Sequence, residues 1–227
     1  MKHLLLAFAF ACLANPVFSQ FHIGLSAGPN VSFWTWEIKS LGFGIDYEPA
    51  MGWRAAVLGE WQMNPMLGFR AEFGTQVKAN KLSKNFIFES DLLAGNFNGS
   101  PGYFREYFQY WEGSALVQFS PVKKFNYVYL IAGGTAGRLE KAWNIISGTE
   151  AGQEFSSTSS IDVKNPNWNR NAFAADFGLG GNIPLGANSK IKVEARYQYS
   201  LSNLTASDDV DASMSPLLLN VGYMHRL

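Results

Sequence analysis

The chain has 227 residues, of which 47% are apolar, 15% aromatic and 16% charged, with 22 glycines. This composition is too polar for a bundle of membrane helices and too rich in apolar and aromatic residues for a disordered chain. The 18 basic and 18 acidic residues balance, so the sequence lacks the positive charge that nucleic-acid binders use. We therefore expect one domain with a substantial core and no nucleic-acid partner.

The amino-terminal segment has the features of a cleavable signal peptide. Lys2 provides an early cation, and an apolar run follows over residues 4–14. Val17 and Ser19 fit the two specificity positions of a cleavage site, and the apolar run is too short to span a bilayer as a helix. We predict a signal peptide over residues 1–19.

The single cysteine, Cys12, lies inside this predicted signal peptide. A lipid anchor on Cys12 is the alternative, but it would cut the apolar run in half, and the preceding residues lack the usual order. Removal of Cys12 would leave no thiol for a disulfide, a metal site or a nucleophile. The predicted mature domain, residues 20–227, is expected to act beyond the inner membrane.

Eight stretches of the mature chain alternate apolar and polar residues with a period of two, which is typical of strands with two different faces. In the clearest stretch, Lys192, Glu194 and Arg196 alternate with apolar residues. The fifth stretch is rich in glycine and alternates poorly, so it does not distinguish two faces. The predicted strands cover residues 21–32, 53–63, 67–78, 111–119, 127–140, 172–183, 190–201 and 216–227.

The predicted connections alternate between long and short. Four are long and carry Asn, Ser, Gly and acidic residues: 33–50, 79–104, 141–169 and 203–215. The other three are short: 64–66, 120–126 and 184–189. In an up-and-down barrel, alternate connections emerge at the same end, so the four long loops share one rim. Long loops at one end and short turns at the other are typical of bacterial outer-membrane barrels.

The bulky face of these strands decides between a membrane barrel and a soluble one. Eight strands enclose a space that is only just wide enough for side chains to fill, and the many Trp, Phe and Tyr residues would overcrowd it. A basic residue turned to lipid near the midplane would cost roughly 2–4 kcal/mol. We therefore predict an all-β fold, an eight-stranded antiparallel up-and-down transmembrane β-barrel of outer-membrane type. A soluble extracytoplasmic barrel that binds a small apolar ligand is the alternative.

Ten charged residues are predicted to project into this narrow lumen. An unpaired charge there is costly, whereas a paired and hydrogen-bonded one is tolerable. Since five are basic and five acidic, mutual neutralisation that plugs the lumen is the simplest interpretation, and a gated ion or proton path is the alternative. The predicted lumen charge network comprises Arg54, Glu60, Arg70, Glu72, Lys78, Glu112, Asp176, Lys192, Glu194 and Arg196.

The histidines do not suit catalysis. Enzymatic outer-membrane barrels place a His with Asp or Ser at the outer side, where the long loops lie. His3 belongs to the predicted signal peptide, and His22 and His225 fall at the short-turn end, with His22 facing in and His225 out. We predict that the protein is not an enzyme and has no catalytic, cofactor or metal site.

Aromatic residues are frequent in the predicted loops. They suit a contact surface for a partner or a cluster that packs among itself above the barrel. They include Phe33, Trp34, Trp36, Phe86, Phe88, Trp143 and Phe155.

The last predicted strand carries a partial assembly signal. Asn220, Gly222 and Leu227 match a polar-x-Gly-x-x-apolar-x-apolar pattern that resembles the last-strand signal of outer-membrane barrels. His225 occupies the penultimate apolar slot, and Leu227 replaces the more usual terminal Phe. An ordinary amphipathic strand at the end of the chain is the alternative.

Two segments resemble the PorT-like outer-membrane β-barrel family, which has an OmpA/OmpX-like eight-stranded barrel. Residues 24–32 (GLSAGPNVS) look like its opening strand, and residues 196–204 (RYQYSLSNL) look like its penultimate strand. The resemblance implies a location in the cell outer membrane and a structural or interaction role. It transfers no activity, and a role in protein secretion belongs to the founding member. Expected partners are outer-membrane lipid and lipopolysaccharide, the barrel-assembly machinery and a protein at the long loops.

Overall fold

The computed structural model describes residues 20–45, 47–82, 100–121, 127–150 and 153–227. Within these ranges, ten strands join one sheet in which every pairing is antiparallel. They are β1 (Gln20–Ile38), β2 (Phe43–Gly44), β3 (Tyr47–Gln62), β4 (Leu67–Leu82), β5 (Ser100–Phe119), β6 (Val128–Glu150), β7 (Gln153–Ile161), β8 (Asn171–Pro184), β9 (Ser189–Ser200) and β10 (Val210–Arg226). The described residues include no helix that is long and apolar enough to cross a membrane.

Eight of these strands close into a ring. The first strand, β1, pairs with β10 over a long register that runs from His22 opposite Arg226 to Ile38 opposite Val210. The short β2 pairs only with β1, and β7 pairs only with β6. Closure leaves the ring without an open edge, which is the condition for a sheet to lie in lipid. The predicted eight-stranded antiparallel up-and-down barrel is confirmed.

The strands are longer than predicted at the long-loop end. Strand β1 continues to Ile38, β5 begins at Ser100, and β6 continues to Glu150 before the chain returns as β7. Much of the predicted connection over residues 141–169 is therefore strand, in the upper part of β6 and in β7. Above the apolar part of the barrel, both faces of a strand carry polar and aromatic residues. The pairing continues there, but the alternation that predicts it is lost.

The short-turn end is built from local turn chemistry. The Asn64 side-chain oxygen accepts hydrogen bonds from the backbone N–H groups of Met66 and Leu67, at 2.8 and 2.9 Å. Between β8 and β9, Gly186 has a φ of 110°, which favours glycine. These turns hold neighbouring strands in register at that end.

The middle of the outer surface forms an apolar belt. Along β8 it runs from Ile183 to Phe173, which corresponds to about 33 Å of strand and, at a tilt of about 40°, to a height of about 25 Å. That height matches the apolar band of outer-membrane barrels. The exposed large side chains of the belt are Phe21, Ile23, Leu25, Met51, Trp53, Val57, Phe69, Phe73, Trp111, Val117, Phe119, Val128, Leu130, Phe173, Phe177, Leu179, Ile183, Val193, Tyr197, Tyr199, Leu201, Leu217, Leu219, Val221 and Tyr223.

The structure also assigns the two faces of β6, which the sequence does not distinguish. Val128 and Leu130 face outward, whereas Tyr129 and Ile131 are buried in the lumen. A Cβ atom added to Gly180 of β8 would lie 2.4 Å from the ring of Tyr129, so any larger residue there would force this ring to move. Tyr129 fills the part of the lumen that glycines of the neighbouring strand leave free.

A charge placed in the middle of the belt tests whether this face contacts lipid. We expect Leu179→Arg to destabilise the barrel in phospholipid vesicles by about 2–4 kcal/mol, because the guanidinium would face hydrocarbon. Urea unfolding of the refolded protein in vesicles measures the change. Asn171→Arg, at the upper end of the same strand, is the control and should cost about 0–1 kcal/mol. Equal effects of the two substitutions would contradict a lipid-facing belt.

Candidate functional site in the lumen

The predicted lumen charges all lie on inward faces of the strands. Each is at most 6% exposed, although together they carry ten formal charges. They are Arg54, Glu60, Arg70, Glu72, Lys78, Glu112, Asp176, Lys192, Glu194 and Arg196. The structure brings them together in three tiers between the short turns and the long-loop end.

Glu72 is the centre of the middle tier. Its Oε2 atom accepts from the Nη2 atoms of Arg54 at 2.7 Å and Arg196 at 2.8 Å. Its other oxygen lies 3.0 Å from Nε of Arg70, and Arg70 also forms an ion pair with Glu194. One carboxylate therefore binds guanidinium groups from three strands, β3, β4 and β9. Charge-assisted bonds of this kind are among the strongest hydrogen bonds in proteins.

Two further carboxylates complete the middle tier. Glu194 accepts a hydrogen bond from the hydroxyl of Tyr129 at 2.9 Å. Asp176 accepts one from Thr135 at 2.6 Å and lies 3.6 Å from Nε of Arg196. Three carboxylates thus face three guanidinium groups, so the middle of the lumen is electrically balanced and ion pairs link strands across the barrel.

The tier at the short-turn end carries one excess positive charge. Glu60 is fully buried and binds Lys190 at 2.6 Å as well as Lys192. Lys192 also donates to Gln118 at 2.8 Å and lies 4.6 Å from the ring centre of Tyr129. The sequence prediction omitted Lys190 because it stands at the start of a strand, where alternation does not separate a lumen residue from a rim residue.

A polar cavity of about 180 Å³ lies at this end of the lumen. It is lined by His22, Gln62, Gln118, Ser120, Tyr127, Asn182, Pro184 and Lys190. The Lys190 side chain is 15% exposed, whereas Glu60 beneath it is inaccessible. The cavity therefore ends at the Glu60 ion pairs.

The third tier lies at the long-loop end and consists of a single ion pair. Lys78 binds Glu112 at 3.0 Å, and its ammonium lies 4.8 Å from the ring centre of Tyr110. Beyond this pair most of the inward side chains are aromatic or aliphatic, although Asn80 is also buried there. The transition marks the base of a hydrophobic cluster.

This cluster, which we call the apolar cap, fills the upper end of the barrel. Phe108 is at its centre, with ring centroids 5.0 Å from Trp34 and 5.8 Å from Trp168. Backbone bonds hold the segments that cover it, including Asn169 N–H to the Leu204 carbonyl at 2.8 Å. Its buried members are Phe108, Tyr110, Leu139, Ala142, Val163, Leu204, Ala212 and Met214, with Trp34, Trp36, Ile161, Trp168, Ala172 and Val210 packed against them.

The apolar cap shows whether some of the aromatic residues in the predicted loops pack together or remain available to a partner. Trp34 and Trp36 pack into the cap, which is the self-packing alternative. Trp143 stacks on Tyr107 with ring centroids 5.3 Å apart, and Phe33 remains 45% exposed. The predicted loop residues Phe86 and Phe88 lie outside the described residues.

A partly buried carboxyl group, that of Glu106, lies beside the cap and above the apolar belt. Glu106 accepts a hydrogen bond from the Asn80 side chain at 2.9 Å, and its backbone N–H donates to the same side chain at 3.2 Å. Burial raises the pKa of Glu106. Burial, together with the charge of Glu106, also raises the pKa of Tyr47. Glu106 and Asn80 thus link β5 to β4 above the charged tiers.

The structure does not bring the two histidines of the described chain together. His22 is 8% exposed and faces the lumen, whereas His225 is exposed on the outside, where Nδ1 lies 3.0 Å from the Ser189 hydroxyl. Within the described ranges, no group of three or more His, Cys, Asp or Glu side chains is arranged to hold a metal ion. Both histidines lie at the short-turn end, far along the strands from the apolar cap.

The residues of the predicted assembly signal lie on both sides of β10. Asn220 is 6% exposed and faces the lumen, as does Gly222, whereas Leu227 is 77% exposed beyond the end of the strand. The Leu227 N–H donates to the carbonyl of Phe21 at 3.0 Å. Recognition by an assembly machine stays a prediction.

Comparisons with known proteins give structural likeness only. No protein-family model matches the chain, and no curated protein matches its sequence. Ail of Yersinia pestis is 17% identical with a TM-score of 0.41, over 89% of this chain and 97% of Ail. OprG from Pseudomonas aeruginosa is 8% identical with a TM-score of 0.47, over 92% and 98%. The outer-membrane protease OmpT from Escherichia coli is 8% identical with a TM-score of 0.41, over 92% and 97%. Identities and TM-scores this low support no inference about function.

Removal of the central carboxylate tests the importance of the middle tier. We expect Glu72→Gln to lower the free energy of unfolding by about 3–5 kcal/mol, because three buried guanidinium groups would lose their shared partner. Urea unfolding in lipid vesicles measures this loss. Glu154→Gln, at an exposed carboxylate of β7, is the control and should change stability by less than about 0.5 kcal/mol. A Glu72→Gln barrel as stable as the control would show that the tier contributes nothing.

Proposed function

We propose that the chain is an integral outer-membrane β-barrel of structural or interaction type, with a plugged lumen and its long-loop end outside the cell. One observation carries this proposal: the apolar belt is outside and the charged residues are inside. Phe73, Phe177 and Val221 are each more than half exposed. Burying each such side chain away from water is worth about 1.5–3 kcal/mol, so lipid around the belt would stabilise the protein greatly.

The same observation counts against a soluble barrel with an apolar ligand. Such a protein needs charges at its surface and an apolar interior. Here Arg54, Glu60 and Arg196 are among the most deeply buried side chains, and the belt is apolar all round. Aromatic residues near the belt edges, such as Trp61 and Tyr223, also suit the girdles at a membrane–water interface.

The plugged lumen is supported by two barriers of different chemistry. The middle tier crosses the lumen with ion pairs, and the apolar cap fills the long-loop end with close-packed side chains. A hydrated ion would have to break the first barrier and then enter the second without water. The gated ion path therefore has no support beyond the presence of inward charges.

The remaining parts of the proposal rest on the sequence. The signal peptide over residues 1–19 lies outside the described residues, and the assembly signal at Asn220, Gly222 and Leu227 depends on its pattern. The PorT-like resemblance adds support for the same location. We infer no catalysis, and we propose lipid, lipopolysaccharide, the assembly machinery and a protein at the long loops as partners. No residue favours a role in secretion.

Cell fractionation tests the location and the fold together. We expect the protein in the outer-membrane fraction, with an unheated form that migrates differently from the heated form in SDS, because a closed barrel resists the detergent until it is boiled. A soluble periplasmic protein without a heat-dependent shift would contradict the proposal. The heated sample of the same preparation is the control for the unfolded position.

Single-channel recording in a planar bilayer tests the plugged lumen. We expect no stable open current from the purified protein, because ion pairs and the apolar cap block the path. The variant Phe108→Ala, which removes the centre of the cap, is the comparison and should still conduct poorly while the middle tier is intact. A steady open current from the unmodified protein would contradict the plug without contradicting the membrane location.

A further inference from the structure

The outer surface of the barrel carries a groove of about 690 Å³ within the apolar belt. Its floor follows one row of paired residues across four strands and onto a fifth. Ala27 of β1 lies opposite Val221 of β10 and Ala55 of β3, Ala55 lies opposite Thr75 of β4, and Thr75 lies opposite Trp111 of β5. Small side chains in the middle of this row leave the space.

Larger side chains form the lower wall of the groove. Leu25, Val57 and Phe73 stand one step below the row and are 64%, 49% and 61% exposed. Phe73 stacks on Trp111 with centroids 5.6 Å apart and planes 12° apart, which fixes the far end of the wall. The groove is thus a defined channel on an otherwise convex surface.

The floor of the groove is apolar despite the threonine in it. The Thr75 hydroxyl donates to the Tyr110 carbonyl at 3.1 Å and accepts from the Gln109 amide at 3.3 Å. Both hydrogen-bonding functions of the hydroxyl are therefore used within the protein, and its methyl group is left for an apolar neighbour. The groove suits a hydrocarbon chain along its length.

The groove rises along the barrel. Val221 lies low in the belt, one step above Tyr223, whereas Trp111 lies at the upper edge. Four strand spacings separate these ends, which corresponds to about 19 Å, the length of an extended fatty acyl chain. At a strand tilt of about 40°, this row rises by about 12 Å, so a chain that enters from the long-loop side would end about half the height of the belt below its entry.

Positive charge stands where the groove reaches the upper edge. Arg138 lies directly opposite Trp111 on the next strand and is the first outward charge above the belt on β6. Lys141 is also exposed on β6, and neither cation forms an ion pair with another described residue. The nearby Glu140 is instead 3.9 Å from Arg170. The upper end of the groove therefore offers two unneutralised cations.

We propose that this groove binds a phosphate-bearing glycolipid of the outer leaflet, the lipid A part of lipopolysaccharide. One acyl chain lies along the row from Trp111 to Val221, and a phosphate contacts Arg138 and Lys141. Charge complementarity identifies the headgroup, and the rising groove places its chain in the leaflet at the long-loop end. The inference rests on the proposed function, because it needs that end to face outward in the membrane.

Native mass spectrometry of the refolded mature barrel in detergent tests this site. The probes are lipid A, dephosphorylated lipid A and phosphatidylglycerol. We expect the unmodified barrel to retain one lipid A, and Arg138→Gln to bind it about tenfold more weakly, because a charge-assisted contact is lost. Ala55→Leu should weaken binding similarly by filling the groove. Dephosphorylated lipid A and phosphatidylglycerol should both bind more weakly than lipid A.

Two matched variants control for general effects. Ala175→Leu makes the same change at an outward alanine of β8, which is separated from the groove by β9, and Arg226→Gln removes an exposed cation at the short-turn end. Both should retain lipid A as the unmodified barrel does. Binding that is equal in Arg138→Gln, Ala55→Leu and the controls would overturn the site. Phosphatidylglycerol binding as tight as lipid A would overturn the choice of lipid.

A separate measurement distinguishes failure of the groove proposal from failure of the proposed function. Each preparation is first examined for the heat-dependent shift in SDS, which reports the closed barrel independently of lipid A. A folded, membrane-inserted barrel with no difference among the variants would remove only the groove proposal. An unmodified protein that is soluble and lacks the shift would remove the proposed function as well.

Discussion

The pairing of β1 with β10 closes the sheet, and closure sets the width of everything inside it. Eight strands enclose a space that side chains alone can fill, so the long charged and aromatic side chains inside it need small neighbours. Gly180 stands opposite Tyr129, and most of the bulky aromatic residues of the belt are left to the outside. The apolar belt and the crowded polar lumen are two results of the same geometric limit.

A narrow lumen also determines how its charges must be arranged. A charge removed from water needs an opposite charge at hydrogen-bonding distance, and few rotamers reach across such a small space. Glu72 meets this requirement by binding three guanidinium groups, and Glu60 meets it by binding two ammonium groups. In the two lower tiers, the ion pairs are therefore shared among several residues, whereas the upper tier is the single pair of Lys78 and Glu112. This arrangement ties β3, β4 and β9 together through side chains as well as through the sheet.

The period of two in the sequence predicted the barrel and its inward charges because lipid and a polar lumen impose opposite demands on alternate residues. Above the belt, neither face of a strand contacts lipid, so alternate residues no longer need to differ in polarity. The sequence pattern therefore does not indicate β7 or the extensions of β5 and β6. The sequence does not assign Tyr129 to the lumen or to the outer face, because glycines interrupt the alternation in its strand. Lys190 was omitted because strand ends carry polar residues on either face.

The alternation of apolar and polar residues does not predict the apolar cap, for a different reason. Val163, Trp168 and Leu204 belong to connections, and no periodicity indicates that a connection folds back over the mouth of a barrel. The groove cannot be predicted from the sequence pattern either, because its floor combines Ala27, Ala55 and Thr75 from three different strands. Only the register of those strands shows that three small residues stand in one row.

The position of the Glu60 and Glu72 partners has a consequence for the order in which the barrel is built. Arg54 and Arg70 reach Glu72 from the local hairpin of β3 and β4, but its third cation, Arg196, comes from β9. Glu60 finds both of its cations, Lys190 and Lys192, on β9. Until β9 is in place, Glu60 lacks both lysines that bind it and Glu72 lacks one of its three guanidinium partners. The pairing of β9 with its neighbours therefore completes these ion pairs, none of which needs a residue from the closing strands β1 and β10.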